Sequence, residues 1–230
     1  MELSKRLQAV ANLVTEGLVV ADIGTDHGYI PIYLIQTGKC KTAFAMDVNE
    51  GPLLRAKEHI AEYGLDKEIT VRQSDGVKAL SVGECECVVV AGMGGALTVR
   101  ILEDGEVVFR SLKEFVLQPQ SELKKVRQYL QQNQYCVVAE NMVLEDGKFY
   151  PMMKVVSGKS PDYTMAELRY GKKLMEKKHP VLRRFLEKEV QTKEMILNNL
   201  KSESGEHIEV RKKELQEDIK FAKEALHVYS

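Results

Sequence analysis

The sequence predicts an α/β protein with a mainly parallel sheet, followed by a smaller all-helical domain. Short apolar runs alternate with segments of helical periodicity along residues 1–158, which is the pattern of parallel strands joined by crossover helices. Beyond residue 158 the strand-like runs stop and only helical patterns continue. We therefore expect one domain at 1–158 and a second at 159–230.

The composition is that of a globular protein. Of the 230 residues, 44% are hydrophobic and 29% are charged, a balance typical of folded domains. No apolar run approaches the roughly 18 residues that span a bilayer, and the first residues show no signal-peptide pattern. The four cysteines favour reduced thiols, because Cys85-x-Cys87 has no second pair at zinc-ligand spacing. We therefore expect a cytoplasmic protein with no bound metal and no membrane contact.

Each predicted strand in the first half is a short apolar run, and glycines mark the ends of the helices between them. Gly17 and Gly38 end the first two helices. Pro31 is tolerated because a first helical turn does not need its N–H. In chain order, the prediction is a helix at about 3–14, a strand at 18–23, a helix at 30–36, a strand at 42–47, a helix at 51–63 and a strand at 69–72.

The second half of this domain continues the alternation and closes with a hairpin. The prediction is a strand at 87–91, a helix at 96–102, a strand at 115–118 and a helix from about 121 to 133. Two last strands, at 135–143 and 149–156, are joined by the turn sequence Glu145-Asp146-Gly147-Lys148, so we expect them to pair antiparallel. The sheet would then have seven strands.

Two long helices are predicted after a linker at 157–161, and the segment 202–205 separates them. Pro180 begins the first. Apolar residues recur at heptad-like spacing in both, so we expect an antiparallel coiled-coil hairpin. The apolar stripes are Leu182, Leu186, Val190, Leu197 and Leu200 in the first helix and Ile208, Leu215, Ile219, Ala222 and Leu226 in the second.

The stretch Val19–Ile30 has the pattern of a buried strand, a tight turn and a helix N-terminus. Gly24 and Gly28 leave room for a ligand close to the backbone, and the acid Asp22 ends the strand. Such a crevice in an α/β sheet suits a nucleotide. The second acid, Asp26, would repel a pyrophosphate but suits a cationic ligand such as S-adenosylmethionine. The alternative is an ordinary strand-turn-helix without a ligand.

Two further acids follow the next strands. Asp47, at the tip of the second strand, is expected to accept hydrogen bonds from ribose hydroxyls, although it could instead cap the following helix. We place Val48 beside it against the same ligand. Asp75 and Gly76, which follow the third strand, are expected to meet the amine and ring nitrogens of adenine.

The fourth strand runs into a glycine-rich sequence. Ala91, Gly92 and Met93 are expected to border the cofactor. Gly94 and Gly95 leave space over the backbone, so we expect them to form a floor for a flat substrate, with a plain flexible loop as the alternative.

The fifth strand ends in neutral amides. Gln118 and Gln120 have side chains suited either to bind the edge of a base or to fix a loop. We expect both to bind substrate.

Basic residues concentrate in the second domain. Residues 1–158 carry 17 basic and 21 acidic side chains, whereas residues 159–230 carry 16 and 13. Between residues 169 and 188, eight basic side chains accompany two acidic ones. This favours a polyanionic partner, although a solvated helix face gives the same pattern. The residues expected to bind the partner are Arg169, Lys172, Lys173, Lys177, Arg183 and Arg184.

Four motifs together resemble one family. They are Asp22-Ile23-Gly24-Thr25-Asp26-His27-Gly28-Tyr29, Ala91-Gly92-Met93-Gly94-Gly95, Leu117-Gln118-Pro119-Gln120 and Glu145-Asp146-Gly147-Lys148-Phe149-Tyr150. This combination is similar to the TrmK (YqfN-like) family of bacterial tRNA methyltransferases, and the similarity extends over the whole chain. The resemblance implies a Rossmann-like class I methyltransferase sheet of seven strands, S-adenosylmethionine as cofactor and a C-terminal helical coiled-coil hairpin domain that grips tRNA. It also implies N1 of adenine 22 as the methylated atom, and we expect a monomer.

The chemistry of this reaction suits the residues of the first motif. Neutral adenine N1 has a lone pair and no proton, so the reaction needs alignment and no general base. The ring becomes cationic, and a carboxylate nearby stabilises that charge, so Asp26 is the expected electrostatic catalyst. Tyr29 could stack on or hydrogen-bond the base, and His27 could orient either group. The alternatives are that Asp26 caps the helix and that Tyr29 belongs to the core.

N1 lies on the Watson–Crick edge, so the target base must be unpaired or extruded before it reacts. The D-P-P-Y-type element that clasps an exocyclic adenine amine is replaced by 92–95, which argues against methylation at N6. Three alternatives are another methyl acceptor, a nicotinamide-dependent oxidoreductase and a non-catalytic RNA-binding protein. Asp26 and the missing third motif glycine argue against the oxidoreductase.

Overall fold

The computed structural model describes residues 1–202 and 204–230 and divides the chain into two compact units, Met1–Pro161 and Asp162–Ser230. The predicted break at 202–205 includes Glu203, which lies outside the described residues.

The first unit contains six helices and seven strands among its described residues. The helices are α1 (Lys5–Leu13), α2 (Tyr29–Gln36), α3 (Glu50–Glu62), α4 (Gly95–Asp104), α5 (Glu106–Ser111) and α6 (Leu123–Gln132). The strands are β1 (Val20–Ile23), β2 (Ala43–Asp47), β3 (Ile69–Gln73), β4 (Cys87–Met93), β5 (Glu114–Pro119), β6 (Tyr135–Glu145) and β7 (Lys148–Ser157).

The seven strands form one mixed sheet in the order β3-β2-β1-β4-β5-β7-β6. The strands β1 to β5 pair in parallel, whereas β7 runs antiparallel to both β5 and β6. The predicted seven-stranded sheet and its antiparallel closing hairpin are confirmed. Because β1 lies between β2 and β4, the chain order reverses at this point, and a crevice opens there at the carboxyl ends of the strands.

Helices cover both faces of the sheet. On one face, α1, α2 and α3 bury residues such as Ile32 and Ile60 against the strands. On the other face, α4, α5 and α6 bury residues such as Leu102 and Phe109. The sequence did not predict α5, a six-residue helix too short to show a full helical period.

One ion pair is fully buried in this unit. The Arg127 guanidinium of α6 donates to Glu140 Oε1 of β6 over 3.0 Å from Nε and 2.7 Å from a terminal nitrogen. Both side chains are only 1% exposed. A charge removed from water to this extent requires its partner, so the pair ties α6 to the outermost strand.

The second unit is entirely helical in its described residues. It contains α7 (Met165–Tyr170), α8 (Lys172–Glu176), α9 (Pro180–Asn199) and α10 (Glu206–His227), with a 3₁₀ turn at Leu200–Ser202. Ion pairs join Lys193 to Asp218 at 2.8 Å and Glu194 to Lys223 at 2.7 Å. The Tyr229 hydroxyl donates to the His179 carbonyl over 2.9 Å. These pairings show that α9 and α10 run antiparallel.

Burial along this helix pair is uneven. Leu182 and Leu186 of α9 are buried, as are Leu215, Ile219 and Ala222 of α10. Val190, which the predicted stripe also includes, is only half-buried, as are the apolar residues that follow it in that stripe. The tight seam is therefore shorter than the predicted one.

Candidate active site

A cavity of about 320 Å³ lies at the carboxyl ends of β1 and β4. It is lined by Arg6, Leu7, Asp22, Gly24, Asp26, His27, Tyr29, Ile30, Ala91, Gly92 and Gln120. The sequence predicted eight of these residues as site residues. It did not predict Arg6, Leu7 or Ile30.

The turn from β1 to α2 bends back toward β2. The backbone N–H groups of Gly24 and Thr25 both donate to the Met46 carbonyl, over 2.8 and 2.9 Å. Gly24 has φ +74°, and a Cβ at this position would collide with the side chain of Met93. His27 also has a positive φ, +63°. A histidine held in this conformation stores backbone strain, which proteins concentrate at binding and catalytic sites.

Asp22 is the buried acid of the cavity, with only 5% of its surface exposed. Burial raises the pKa of this carboxyl to about 7; the Thr25 hydroxyl opposes the shift and the Asp47 carboxylate adds to it. A buried carboxylate that lacks a cation is costly to ionise. Asp22 is therefore prepared to bind a cationic group such as an ammonium.

Asp26 binds an arginine that the sequence did not single out. Its Oδ1 accepts hydrogen bonds from Arg55 of α3, over 3.2 Å from Nε and 2.8 Å from a terminal nitrogen. The His27 Nε2 lies 3.4 Å from the same oxygen. The helix α2 has Gly28 as N-cap and no side-chain cap bond, so the alternative in which Asp26 caps this helix is wrong.

Three aromatic rings form a cluster, here called the ring triad, of His27, Tyr29 and His59. The ring centroids are 5.1 Å apart for His27 and Tyr29, 5.0 Å for the two histidines and 5.5 Å for Tyr29 and His59, and all planes lie within 23° of parallel. His59 Nδ1 lies 3.1 Å from the His27 carbonyl. Tyr29 is half-buried in the cavity wall, so the alternative that assigns it to the core is wrong.

Asp47 and Val48 lie at the end of β2, the strand next to β1, and neither is among the residues that line the cavity. Asp47 Oδ1 accepts a hydrogen bond from the Asn49 backbone over 2.7 Å, and the N-cap of α3 is Asn49, so Asp47 itself is not the cap. Val48 is 52% exposed, and its carbonyl accepts from Gln73 Nε2. Asp47 is half-buried and Val48 is exposed, so the end of β2 is partly accessible to solvent.

Asp75 and Gly76 have local partners that the sequence did not reveal. Asp75 forms ion pairs with Lys78 at 2.6 Å and Arg100 at 3.3 Å, and Lys78 in particular holds the pKa of this carboxyl below its ordinary value. A Cβ on Gly76 would lie 3.4 Å from Ile101 of α4. That contact is an ordinary one, and the positive φ of Gly76, +60°, accounts for this glycine without a ligand.

Gln118 is fully buried and fixes other groups of the site. Its Oε1 accepts from an Arg6 guanidinium nitrogen over 3.0 Å and from the Gly92 N–H over 3.2 Å. Its Nε2 has no hydrogen-bond partner among the described residues. Of the two predicted roles, fixing a loop is the one that these bonds support.

Arg6 reaches the cavity because the start of α1 is bound to the last residue of β6, Glu145. The backbone N–H groups of Lys5 and Arg6 donate to the Glu145 carboxylate, over 2.6 and 3.4 Å. The guanidinium lies 5.6 Å from the centre of the Tyr150 ring. Because these partners are more than 100 residues away, sequence spacing gave no signal for Arg6.

The glycine-rich sequence 92–95 is divided between the end of β4 and the start of α4. Strand β4 continues through Gly92 and Met93, with an irregular register between Ala91 and Met93, and α4 begins at Gly95. The Gly95 N–H donates to Ser121 Oγ over 3.1 Å, and a Cβ on Gly95 would collide with the Ser121 carbonyl.

Packing therefore requires a glycine at position 95. Gly94 is exposed, and a Cβ there would make only an ordinary contact with Ser121 Oγ, at 3.4 Å. Because β4 runs to Met93 and α4 begins at Gly95, the flexible-loop alternative is wrong. Gly95 is buried, so the predicted substrate floor stays a prediction for Gly94 only. Gln120, in contrast, is exposed and lines the cavity.

Most of the predicted partner-binding cations are in ion pairs within the second unit. Arg169 pairs with Asp218, Lys172 with Glu167, Lys173 with Glu176 and Arg183 with Glu187. Two of these acids lie outside 169–188, so the local charge balance of the sequence missed them.

Two of the predicted cations remain available. Lys177 and Arg184 are exposed and have no ion pair within the part of the chain that the structure describes. They are therefore the best candidates for contacts with an anionic partner.

The described residues were compared with the requirements of a metal site and of a membrane-spanning helix. Across 1–202 and 204–230, no three His, Cys, Asp or Glu side chains are grouped so that they could hold a metal ion. Within the same residues, no helix combines the length and the apolar character needed to cross a membrane.

Solved structures with the same architecture contain the predicted cofactor or its product. A candidate tRNA (m1A22) methyltransferase of Streptococcus pneumoniae in complex with S-adenosyl-L-methionine is 32% identical, with a TM-score of 0.88 over 98% of this chain and 100% of that one. TrmK of M. capricolum in complex with S-adenosyl-homocysteine is 27% identical, with a TM-score of 0.86 over 99% of both chains. The fold and the crevice thus define a Rossmann-like methyltransferase that uses S-adenosylmethionine.

The family follows from the sequence comparisons. The family model for TrmK, tRNA (adenine(22)-N(1))-methyltransferase, matches residues 20–224. The tRNA (adenine(22)-N(1))-methyltransferase of Bacillus subtilis is 39% identical over 158 residues, which are 69% of this chain and just under two thirds (66%) of that relative. The chain belongs to the TrmK family.

Proposed function

We propose that the crevice between β1 and β4 transfers the methyl group of S-adenosylmethionine to N1 of adenine 22 in tRNA. The observation that best supports this is that one cavity is lined both by the buried acid Asp22 and by the aromatic ring of Tyr29. The acid suits the cationic donor, and the ring suits a purine. Family membership supports the same reaction.

Three charged residues suit the donor. Asp22 accepts the α-ammonium of its methionine part, and Asp47 accepts the ribose hydroxyls. We assign the carboxylate of the methionine part to Arg6, because Arg6 is the only lysine or arginine among the described residues that line the cavity. Gln118 holds that guanidinium in place.

The adenine ring of the donor is placed against Val48. The exposed surface at the end of β2 offers the space, and Gly76 follows the neighbouring strand. Because the Asp75 carboxylate already binds Lys78 and Arg100, we expect the backbone next to it to meet the adenine amine.

The reaction itself needs alignment and charge stabilisation. The N1 lone pair forms the new N–C bond while the S–C bond breaks and its electrons stay on sulfur, which leaves neutral S-adenosylhomocysteine and a cationic adenine. Tyr29 and His27 hold the base. Asp26 stabilises the positive charge as it develops, and Ala91, Gly92 and Met93 border the donor.

The second unit is proposed to bind tRNA as a coiled-coil hairpin domain, with residues 1–158 as the methyltransferase domain and 159–230 as this one. Exposed Lys177 and Arg184 would contact phosphates, and the affinity would fall with salt. We propose a monomer that works in the cytoplasm, where tRNA is found.

The test is methylation of unmodified tRNA transcripts with labelled S-adenosylmethionine, followed by mapping of the product. A methyl group on N1 blocks Watson–Crick pairing, so reverse transcriptase should stop next to adenine 22. A transcript with guanine at position 22 is the control and should remain unlabelled.

Other outcomes would separate the alternatives. Label on another nucleotide, or on protein in a lysate but not on tRNA, would show a different methyl acceptor. Tight tRNA binding without any label, unchanged in an Asp22→Ala variant, would indicate a non-catalytic RNA-binding protein.

A further inference from the structure

A second cavity, of about 490 Å³, adjoins the first and has no role in the reaction described above. It is lined by Met1, Glu2, Leu3, Ser4, Leu7, Tyr29, His59, Glu62 and Tyr63. Leu7 and Tyr29 line both cavities. The two spaces are therefore neighbours that share a wall.

The ring triad forms much of that wall. His27 lines the first cavity, His59 lines the second, and Tyr29 lines both. A fourth ring belongs to Tyr63, the C-cap residue of α3, which lies four residues after His59 and is 42% exposed. Half-exposed aromatic side chains beside a cleft are the feature on which unpaired RNA bases stack.

The charges of the second cavity indicate which part of a nucleotide it takes. Among the described residues that line it, the charged side chains are Glu2 and Glu62 and there is no lysine or arginine; the Met1 ammonium donates to Gln36 Oε1 over 3.1 Å. Carboxylates repel phosphate but accept hydrogen bonds from base N–H groups. The cavity is thus suited to a base and unsuited to the backbone.

The target adenine must leave its stack to expose N1, which also uncovers the bases on either side of it. We propose that the second cavity binds the base of a nucleotide next to the target adenine, stacked on Tyr63 and His59. This rests on the proposed function. It adds a specificity site: the enzyme holds two consecutive bases, one on each side of Tyr29.

The test is a double-mutant cycle between protein and RNA, read as the equilibrium Kd. The RNAs are the intact transcript and transcripts with an abasic nucleotide immediately 5′ or 3′ of the target adenine. The proteins are the wild type, Tyr63→Ala, Tyr63→Phe and Leu54→Ala. Leu54→Ala is the matched control, because Leu54 lies on α3, is 57% exposed and does not line this cavity. Unchanged S-adenosylmethionine affinity verifies that each variant is folded.

We expect one of the two abasic sites to weaken binding to the wild type by about 5- to 150-fold, the value of one stacked base. Tyr63→Ala should weaken binding of the intact RNA similarly, and the abasic site should then add nothing. Tyr63→Phe and Leu54→Ala should behave like the wild type.

The proposal is overturned if neither abasic site weakens binding, or if the abasic penalty is the same in Tyr63→Ala as in the wild type. Since Kd is read without turnover, these results are independent of methylation. Absence of methylation by the wild type would instead contradict the proposed function.

Discussion

The raised pKa of Asp22 makes the stability of the folded protein depend on pH. Since the pKa of this buried carboxyl is raised from 3.8 to about 7, the folded protein retains a proton there that the unfolded chain releases near pH 4. The folded state therefore binds more protons between these values. The free energy of unfolding of the cofactor-free protein should fall as the pH rises through this window.

The same carboxyl predicts a pH-dependent affinity for S-adenosylmethionine. Binding needs the ionised form, so the affinity should increase about fivefold from pH 6 to pH 7. Isothermal titration at both values measures this. An Asp22→Asn variant should bind more weakly and show no such increase. An equally steep increase in that variant would assign the effect to another group.

Asp26 and Arg55 give a prediction about the rate. Asp26→Ala should lower kcat by about 10- to 100-fold and change the S-adenosylmethionine Kd little, because the carboxylate stabilises charge that develops only during transfer. Arg55→Ala is the matched control: it removes the cation that partly neutralises Asp26 and should not lower kcat. Equal losses in kcat and cofactor affinity in Asp26→Ala would make Asp26 a cofactor ligand only.

Among individual residues, the sequence predicted those site residues whose structural neighbours are close to them in the chain. Asp22 and Gly24 followed from one strand-turn-helix pattern. Arg6, in contrast, reaches the site through Gln118, 112 residues away. Arg55 reaches it through Asp26, 29 residues away, and no local pattern encodes such a pairing.

Helices and strands were predicted correctly where a hydrophobic pattern extends over the whole element. Features that depend on contacts with distant segments were missed. The strands and their crossover helices follow from apolar runs, whereas the course of β4 through Gly92 depends on pairing with β5. The role of Gly95 depends on Ser121, which follows β5. The sequence predicted open space at this glycine, but here the missing Cβ lets α4 pack directly on the backbone of Ser121.

The buried ion pair between α6 and β6 gives a prediction about stability. Arg127→Met should lower the free energy of unfolding by about 3–5 kcal/mol, because it leaves the Glu140 charge buried without its partner. The double variant Arg127→Met/Glu140→Leu should recover most of the loss. Thermal and urea unfolding measure both.

The control for this prediction lies on the same helix. Lys125→Met removes a solvent-exposed pair with Glu122 and should change stability by less than about 1 kcal/mol. A loss as large as that of Arg127→Met would show that any charge removal on α6 is damaging. A double variant as unstable as the single one would contradict the role given to the unpaired charge.

The molecule as a whole consists of two compact units with different chemistry. The first holds the crevice, and the second is helical and has a net positive charge. The sequence predicted this division from the end of the strand-like runs. It did not predict that Arg169 pairs with Asp218 and Lys172 with Glu167, because both acids lie outside the basic cluster and meet these cations only when the helices pack together.

Mutation should therefore be able to weaken tRNA binding by the second unit without changing cofactor binding by the first. Lys177→Glu with Arg184→Glu should weaken tRNA binding and reduce the slope of log affinity against log salt by about two, with S-adenosylmethionine affinity unchanged. Filter binding over a salt series measures the slope. Lys41→Glu with Lys67→Glu makes the same charge change before β2 and β3, at the sheet edge opposite the crevice, and should have a smaller effect. Equal effects of the two variants would assign the loss to overall charge.

The hydrogen bonds between Glu145 and the first turn of α1 limit how early during synthesis the protein can bind its cofactor. Arg6 is held at the cavity only after Glu145, the last residue of β6, has bound the start of α1. Strand β6 in turn pairs with the sheet only through β7, which ends at Ser157. Contacts between such distant parts of a chain form late. We therefore expect a nascent chain on the ribosome to remain unable to capture the methyl donor until nearly all of the first unit has emerged.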